Sequence, residues 1–175
     1  MKKTIYFILL IIIVIVGWNY FGVNRIANDR LNTDPRNAGI SILVHYRYLV
    51  FPNTLVIDLR NIKGEISQAD VFRTLLQIAE SQKSVNYSTV ILSFRGYSKF
   101  YLKGQFFQTL GKDFERQNPI YTMRIFPSNL YLLNHELAYD SGATGGLLWV
   151  LARQMENFDD FSKRWYLDEF LEGKR

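Results

Sequence analysis

A chain of 175 residues, 48% apolar and 15% aromatic, has the material for one folded domain and excludes a disordered polypeptide. It contains no cysteine, which excludes disulfides, thiolate nucleophiles, zinc ribbons and a lipid-bearing cysteine. The net charge of +5 lies in the N-terminal third: residues 1–63 hold eight Lys/Arg against three Asp/Glu, and residues 64–175 hold thirteen of each, which excludes a domain-wide basic surface and sets the excess beside a membrane.

Lys2 and Lys3 precede an apolar run from Ile5 to Val16, and Gly17, Trp18, Tyr20 and Phe21 follow it. Thr4 to Val23 is twenty residues, which as a helix covers roughly 30 Å, the thickness of a hydrocarbon core. Trp18 and Tyr20 fall at the level of an interfacial aromatic belt. The sequence therefore predicts a single-pass membrane anchor over residues 1–23, touching the bilayer through residues 4–23. A cleaved signal peptide is the alternative, disfavoured because Gly17 is the one small residue at the end of the run. A span behind so short a basic tail favours translocation of the C-terminal portion, so the domain is expected outside the cytoplasm, in a periplasmic or extracellular setting.

Residues 24–39 are polar, rich in Asn and Asp, and read as a linker with one helical turn before Asp34-Pro35. The domain then starts near Ile40 and extends over residues 40–175. Ile40 to Phe51 and Thr54 to Ile62 read as strands from their β-branched and aromatic content. Ser67 caps a helix, Asp70 stands where a capping box requires an acid, and Val71, Leu75, Ile78 and Ala79 share one face. A buried strand from Ser88 turns at Gly96 to Ser98 into Lys99–Lys103. A helix over Gln105–Gln117, a strand over Ile120–Phe126 and helices over Thr144–Asn157 and Asp159–Leu171 complete the chain.

These elements predict an α+β fold: an N-terminal transmembrane helix, an antiparallel or mixed sheet of about four to five strands with a βαββαβ core, and two C-terminal helices. The core order suits a split βαβ arrangement with the helices on one face. A three-layer α/β sandwich is the alternative.

The stretch His135–Val150, "HELAYDSGATGGLLWV", holds the residue types of a catalytic loop. It opens like H-E-x-x-H, but Tyr139 occupies the second histidine position and the other histidine, His45, is ninety residues away, so no metal is expected. Its glycines match neither a P-loop nor a dinucleotide turn, and no cofactor is expected. They are read as a turn at Ser141-Gly142 and a helix entry capped by Ser141 or Thr144.

Arg95–Leu102, "RGYSKFYL", resembles the octamer of the RNA-recognition motif at Arg95, Gly96 and Tyr97; Lys99 and Leu102 replace aromatics of that pattern, and Val56 stands where the companion motif wants another. The resemblance implies base stacking with Arg95, Tyr97 and Lys99 as the binding residues. Balanced charge past residue 63 speaks against nucleic acid as the partner.

The expected function is a membrane-anchored, extracytoplasmic, non-catalytic domain that binds a protein, peptide or envelope component. The alternatives are a small hydrolase using His135, Glu136 and Asp140, and an RNA-recognition-like domain using Arg95, Tyr97 and Lys99.

Overall fold

The structure is a computed structural model that describes residues 2–140 and 146–173. It opens with one helix of 31 residues, Lys2–Asn32. This helix has three parts: α1 (Lys2–Asn19), a π-helical turn (Tyr20–Asn24) and α2 (Arg25–Asn32). From Ile5 to Val16 the side chains of α1 are apolar all round and nearly all exposed, and the helix is long and apolar enough to cross a membrane. An all-apolar helix suits a protein interior or a bilayer, and the domain leaves this one uncovered.

Beyond α1 the chain behaves differently. Val23, Ala27 and Leu31 recur every four residues and are buried in the domain's core. The polar 24–39 stretch therefore continues the helix to Asn32 and then forms a short 3-10 turn, Pro35–Asn37. Three apolar side chains at helical spacing decide its packing, although polar residues dominate its composition.

The sheet starts at Ile40, as expected. It comprises β1 (Ile40–Arg47), β2 (Phe51–Ile62), β3 (Thr89–Phe94), β4 (Tyr97–Lys103) and β5 (Leu130–Tyr131), in that spatial order. β2 and β3 are parallel and joined by α3 (Gln68–Ser81), and the other neighbours are antiparallel. The result is an α+β fold with a mixed five-stranded sheet. Because neighbours follow chain order, the strands are not interleaved as a split βαβ unit requires.

The last core strand is shifted. Residues expected as a strand, Ile120–Phe126, form α5 (Pro119–Ile125), after α4 (Gly104–Asp113), and the strand comes later at Leu130–Tyr131. Asn118 explains the correction: its side chain accepts from the Ile120 amide, with Pro119 at the first helical position. Asn-Pro ahead of an apolar run is a helix start as well as a turn marker.

Leu55, Ile57 and Leu59 on β2 and Val90, Leu92 and Phe94 on β3 are fully buried, on the face that meets the helices. The opposite face carries no helix among the described residues, so the layers number two. α3 and α4 approach closely at Gly111, where a Cβ would stand 2.2 Å from the Ala79 carbonyl oxygen.

α6 (Leu147–Ser162), a π-helical turn (Lys163–Leu167) and α7 (Asp168–Glu172) form the C-terminal pair. Phe158, Phe161, Trp165 and Phe170 are buried, and the five-residue step from Trp165 to Phe170 crosses the π turn. The proposed caps at Ser141 and Thr144, and the Ser141-Gly142 turn, lie outside the described residues.

α3 begins with the capping box that the sequence indicated: Ser67 Oγ accepts from the Asp70 amide, and Asp70 Oδ2 accepts from the Ser67 amide. Hydrogen bonds from Ser67, then from Arg73, hold the Asp70 carboxyl below its ordinary value. A lowered folded-state value contributes stability above the unfolded value, about pH 3.9, that is lost as pH falls through the folded one. Urea unfolding should therefore show Asp70→Asn less stable than wild type at pH 7, with the gap closing as pH drops below the carboxylate range. A constant gap would assign the effect to packing.

Candidate functional site

β1 is an edge strand, and the amides on its outer side face no other strand among the described residues. The N-terminal helix supplies their acceptors. Asn24 Oδ1 accepts from the Val44 amide at 3.0 Å, and Asn19 Oδ1 accepts from the Tyr46 amide at 2.9 Å. Asn19 Nδ2 donates to the Leu49 carbonyl at 2.7 Å and to Ile15 in its own helix at 2.9 Å.

The π turn makes this clamp possible. Residues five apart in an α-helix point about 140° away from each other, whereas a wider π turn brings them toward one side. Two edge amides two residues apart are thus met by two asparagines five residues apart. The clamp also protects the edge of the sheet from pairing with another chain. Further along, the Arg30–Glu80 ion pair at 2.6 Å and a buried hydrogen bond from Asn37 to Gln77 tie α2 and the following turn to α3.

On the helical side, α3, α4 and α5 enclose a cleft of ≈ 380 Å³, lined by apolar side chains including Phe72, Leu76, Phe106, Leu110 and Met123. That is within the range of ligand pockets, about 300–1,000 Å³. Arg36 and Arg73 also line it. Arg73 Nη1 donates to Asp70 at 2.6 Å and Nη2 to the Arg36 carbonyl at 3.2 Å, while Nε makes no hydrogen bond and lies 3.5 Å from Asp34 Oδ2. Chemically, the cleft accepts apolar groups beside two guanidinium groups that are already paired with Asp34 and Asp70. Arg36 hydrogen-bonds Asp34 and holds that carboxyl well below the usual range.

His135, Glu136 and Asp140 each have a separate hydrogen-bond partner. His135, at φ 73°, shares a 2.8 Å hydrogen bond with the Tyr101 hydroxyl through Nδ1. Glu136 accepts from Asn134 Nδ2, and the Asp140 carbonyl accepts from Asn157. Among the described residues no three His, Cys, Asp or Glu side chains gather as a metal site.

Arg95, Tyr97 and Lys99 lie at the β3–β4 hairpin. Arg95 sits in the turn at φ 51° with its guanidinium over Phe94, and Tyr97 is exposed. Lys99 pairs with Glu169 of α7. The register shifts between Leu92 and Ser93, pairing Ser93 with Ser98 and Leu92 with Phe100, so Lys99 is the extra residue of a bulge.

The helix-free face holds an aromatic group that sequence reading did not single out. Tyr101 and Tyr131 stack at 5.1 Å, with Lys103 Nζ over the Tyr131 ring. The neighbouring Tyr131 hydroxyl raises the Lys103 ammonium above its ordinary value. Only the β4–β5 register joins these residues, and β5 is two residues long. Asn19 and Asn24 were missed as well, since a five-residue spacing matches neither helix nor strand periodicity.

No family model matches the chain, and no curated protein and no solved structure is significantly similar to it.

Proposed function

We propose that this protein is a membrane-anchored, non-catalytic binding domain that holds a protein or peptide partner at a set position above the bilayer, on the extracytoplasmic side. α1 is the membrane anchor, and Lys2 and Lys3 keep its start in the cytoplasm. The observation that carries the reading is the asparagine clamp on β1. A tethered domain needs only a spacer, but here the helix leaving the span is hydrogen-bonded to the sheet edge. The cleft rim at Arg36 then lies just past the end of α2, up to about 20 Å along the helix from Asn19.

The cleft between α3, α4 and α5 is the partner's seat. It takes apolar side chains of the partner against Phe72, Leu76 and Leu110, with Arg36 and Arg73 as the cationic part of its lining. The balanced charge past residue 63 suits a protein partner rather than a polyanion.

The test uses the full chain in membranes of cells that make it. A photoreactive residue at Thr109, in the cleft lining, is expected to form a discrete adduct with one protein, and Ala69→Trp, which fills the cleft from its rim, should remove it. An adduct that survives Ala69→Trp, or one that forms equally from Lys103 on the opposite face, contradicts the assignment.

A further inference from the structure

The turn between β1 and β2 runs through residues 47–51, and its four apolar side chains are all exposed: Tyr48 71%, Leu49 37%, Val50 44% and Phe51 55%. Four consecutive exposed apolar residues are a liability on a hairpin in water. The backbone adds a second anomaly. Tyr48 and Leu49 have φ values of 49° and 63°, the left-handed region that tight hairpins normally assign to Asn or Gly. Bulky side chains are held there at a conformational cost.

Part of the turn's backbone is closed internally. The Leu49 amide donates to the Tyr46 carbonyl at 2.9 Å and the Val50 amide to the Arg47 carbonyl at 3.3 Å. The Leu49 carbonyl accepts from Asn19. Each such internal bond lowers the cost of carrying that part of the backbone into lipid.

The same hydrogen bond sets the depth. Asn19 lies between Trp18 and Tyr20, the two residues at the level of the interfacial aromatic belt. An amide side chain at that depth is tolerable only when hydrogen-bonded, and Asn19 is 5% exposed with both of its polar atoms engaged. Leu49, at 2.7 Å, is carried to the same level, and Trp18 packs on Tyr46 with ring centroids 5.1 Å apart.

We propose that the β1–β2 turn inserts into the lipid beside the span, Tyr48, Leu49, Val50 and Phe51 entering the boundary between headgroups and acyl chains. This rests on the reading of α1 as a membrane anchor. Lipid is the occupant because the exposed surface of the turn adjoins that of the span. The exposed Arg47 guanidinium, over the Tyr48 ring, returns to the phosphate level as amphipathic side chains do at such boundaries. The domain thus meets the bilayer at two points, which prevents rotation about the helix axis.

The chain has no native cysteine, so single-cysteine variants each report one position. Leu49→Cys and Val50→Cys would be labelled with an environment-sensitive fluorophore, alongside Ile11→Cys in the span and Tyr97→Cys on the β3–β4 turn. Each full-length protein would be reconstituted into vesicles of phosphatidylethanolamine and phosphatidylglycerol. Labels at 49 and 50 are expected to emit at shorter wavelength than the label at 97, to resist quenching by aqueous iodide, and to be quenched most by a nitroxide placed high on the acyl chain. If position 11 is dry while 49 and 50 behave like 97, the insertion is overturned and the anchor stands. If position 11 itself behaves like 97, the anchor falls and the insertion with it. Labels at 49 and 50 that are dry but untouched by lipid nitroxides would mean that protein covers the turn, which also overturns the proposal.

Discussion

Trp165→Ala is expected to lower the folding free energy by about 3–5 kcal/mol, the range for truncating a fully buried large aromatic. Trp165 is 1% exposed, its ring stacks on Phe161 with centroids 5.3 Å apart, and its Nε1 donates to the Ser93 carbonyl at 3.1 Å. Truncation therefore opens a cavity between the C-terminal helices and β3 and removes the donor to Ser93. Trp165→Phe retains most of the volume and isolates the hydrogen bond, for which a loss of about 1–3 kcal/mol is expected. Urea unfolding in detergent, followed by circular dichroism, measures both. If Trp165→Ala cost less than Trp165→Phe, the C-terminal helices would not be packed on the sheet as described.

The second large effect is expected where the helix meets the sheet. Asn19→Ala together with Asn24→Ala strips the acceptors from the Val44 and Tyr46 amides and the donor from the Leu49 carbonyl. Each orphaned group costs roughly 1–3 kcal/mol when water does not replace the lost partner. The loss should be local, because the core beneath β2 and β3 contains neither asparagine. Amide hydrogen exchange should accelerate at Val44 and Tyr46 by tenfold or more, at about 1.4 kcal/mol per tenfold, while positions at the sheet centre such as Ile57 and Leu92 keep their protection. Uniform acceleration across the sheet would show that the clamp supports the whole fold.

Parts of this architecture were legible in the sequence because local chemistry specifies them. Ser67 and Asp70 lie three residues apart and form their capping box from neighbours alone. The apolar run before Trp18 states its length directly. Where the reading of the fold departed from the structure, competing local signals or long-range pairing were at work. Asn118-Pro119 serves turns and helix starts equally, and here it starts α5. Lys99 lies two residues from both Tyr97 and Tyr101, so simple alternation sets all three on one face; the bulge at β4 removes it toward Glu169. His135 and Tyr101 are 34 residues apart, and only the return of the chain past β5 joins them. The asparagine clamp depends on a π turn, and that turn has no periodicity signature in the sequence.

The rigid junction between helix and sheet is tested most directly by a distance. Spin labels at Ile8 in α1 and Tyr97 on the β3–β4 turn, in the otherwise cysteine-free full-length protein held in a lipid bilayer, should give one narrow distance distribution. Asn19→Ala with Asn24→Ala should broaden it. A distribution already broad in the protein with both asparagines intact would mean that the helix swings free of β1, and the proposed anchor would then tether the domain without orienting it.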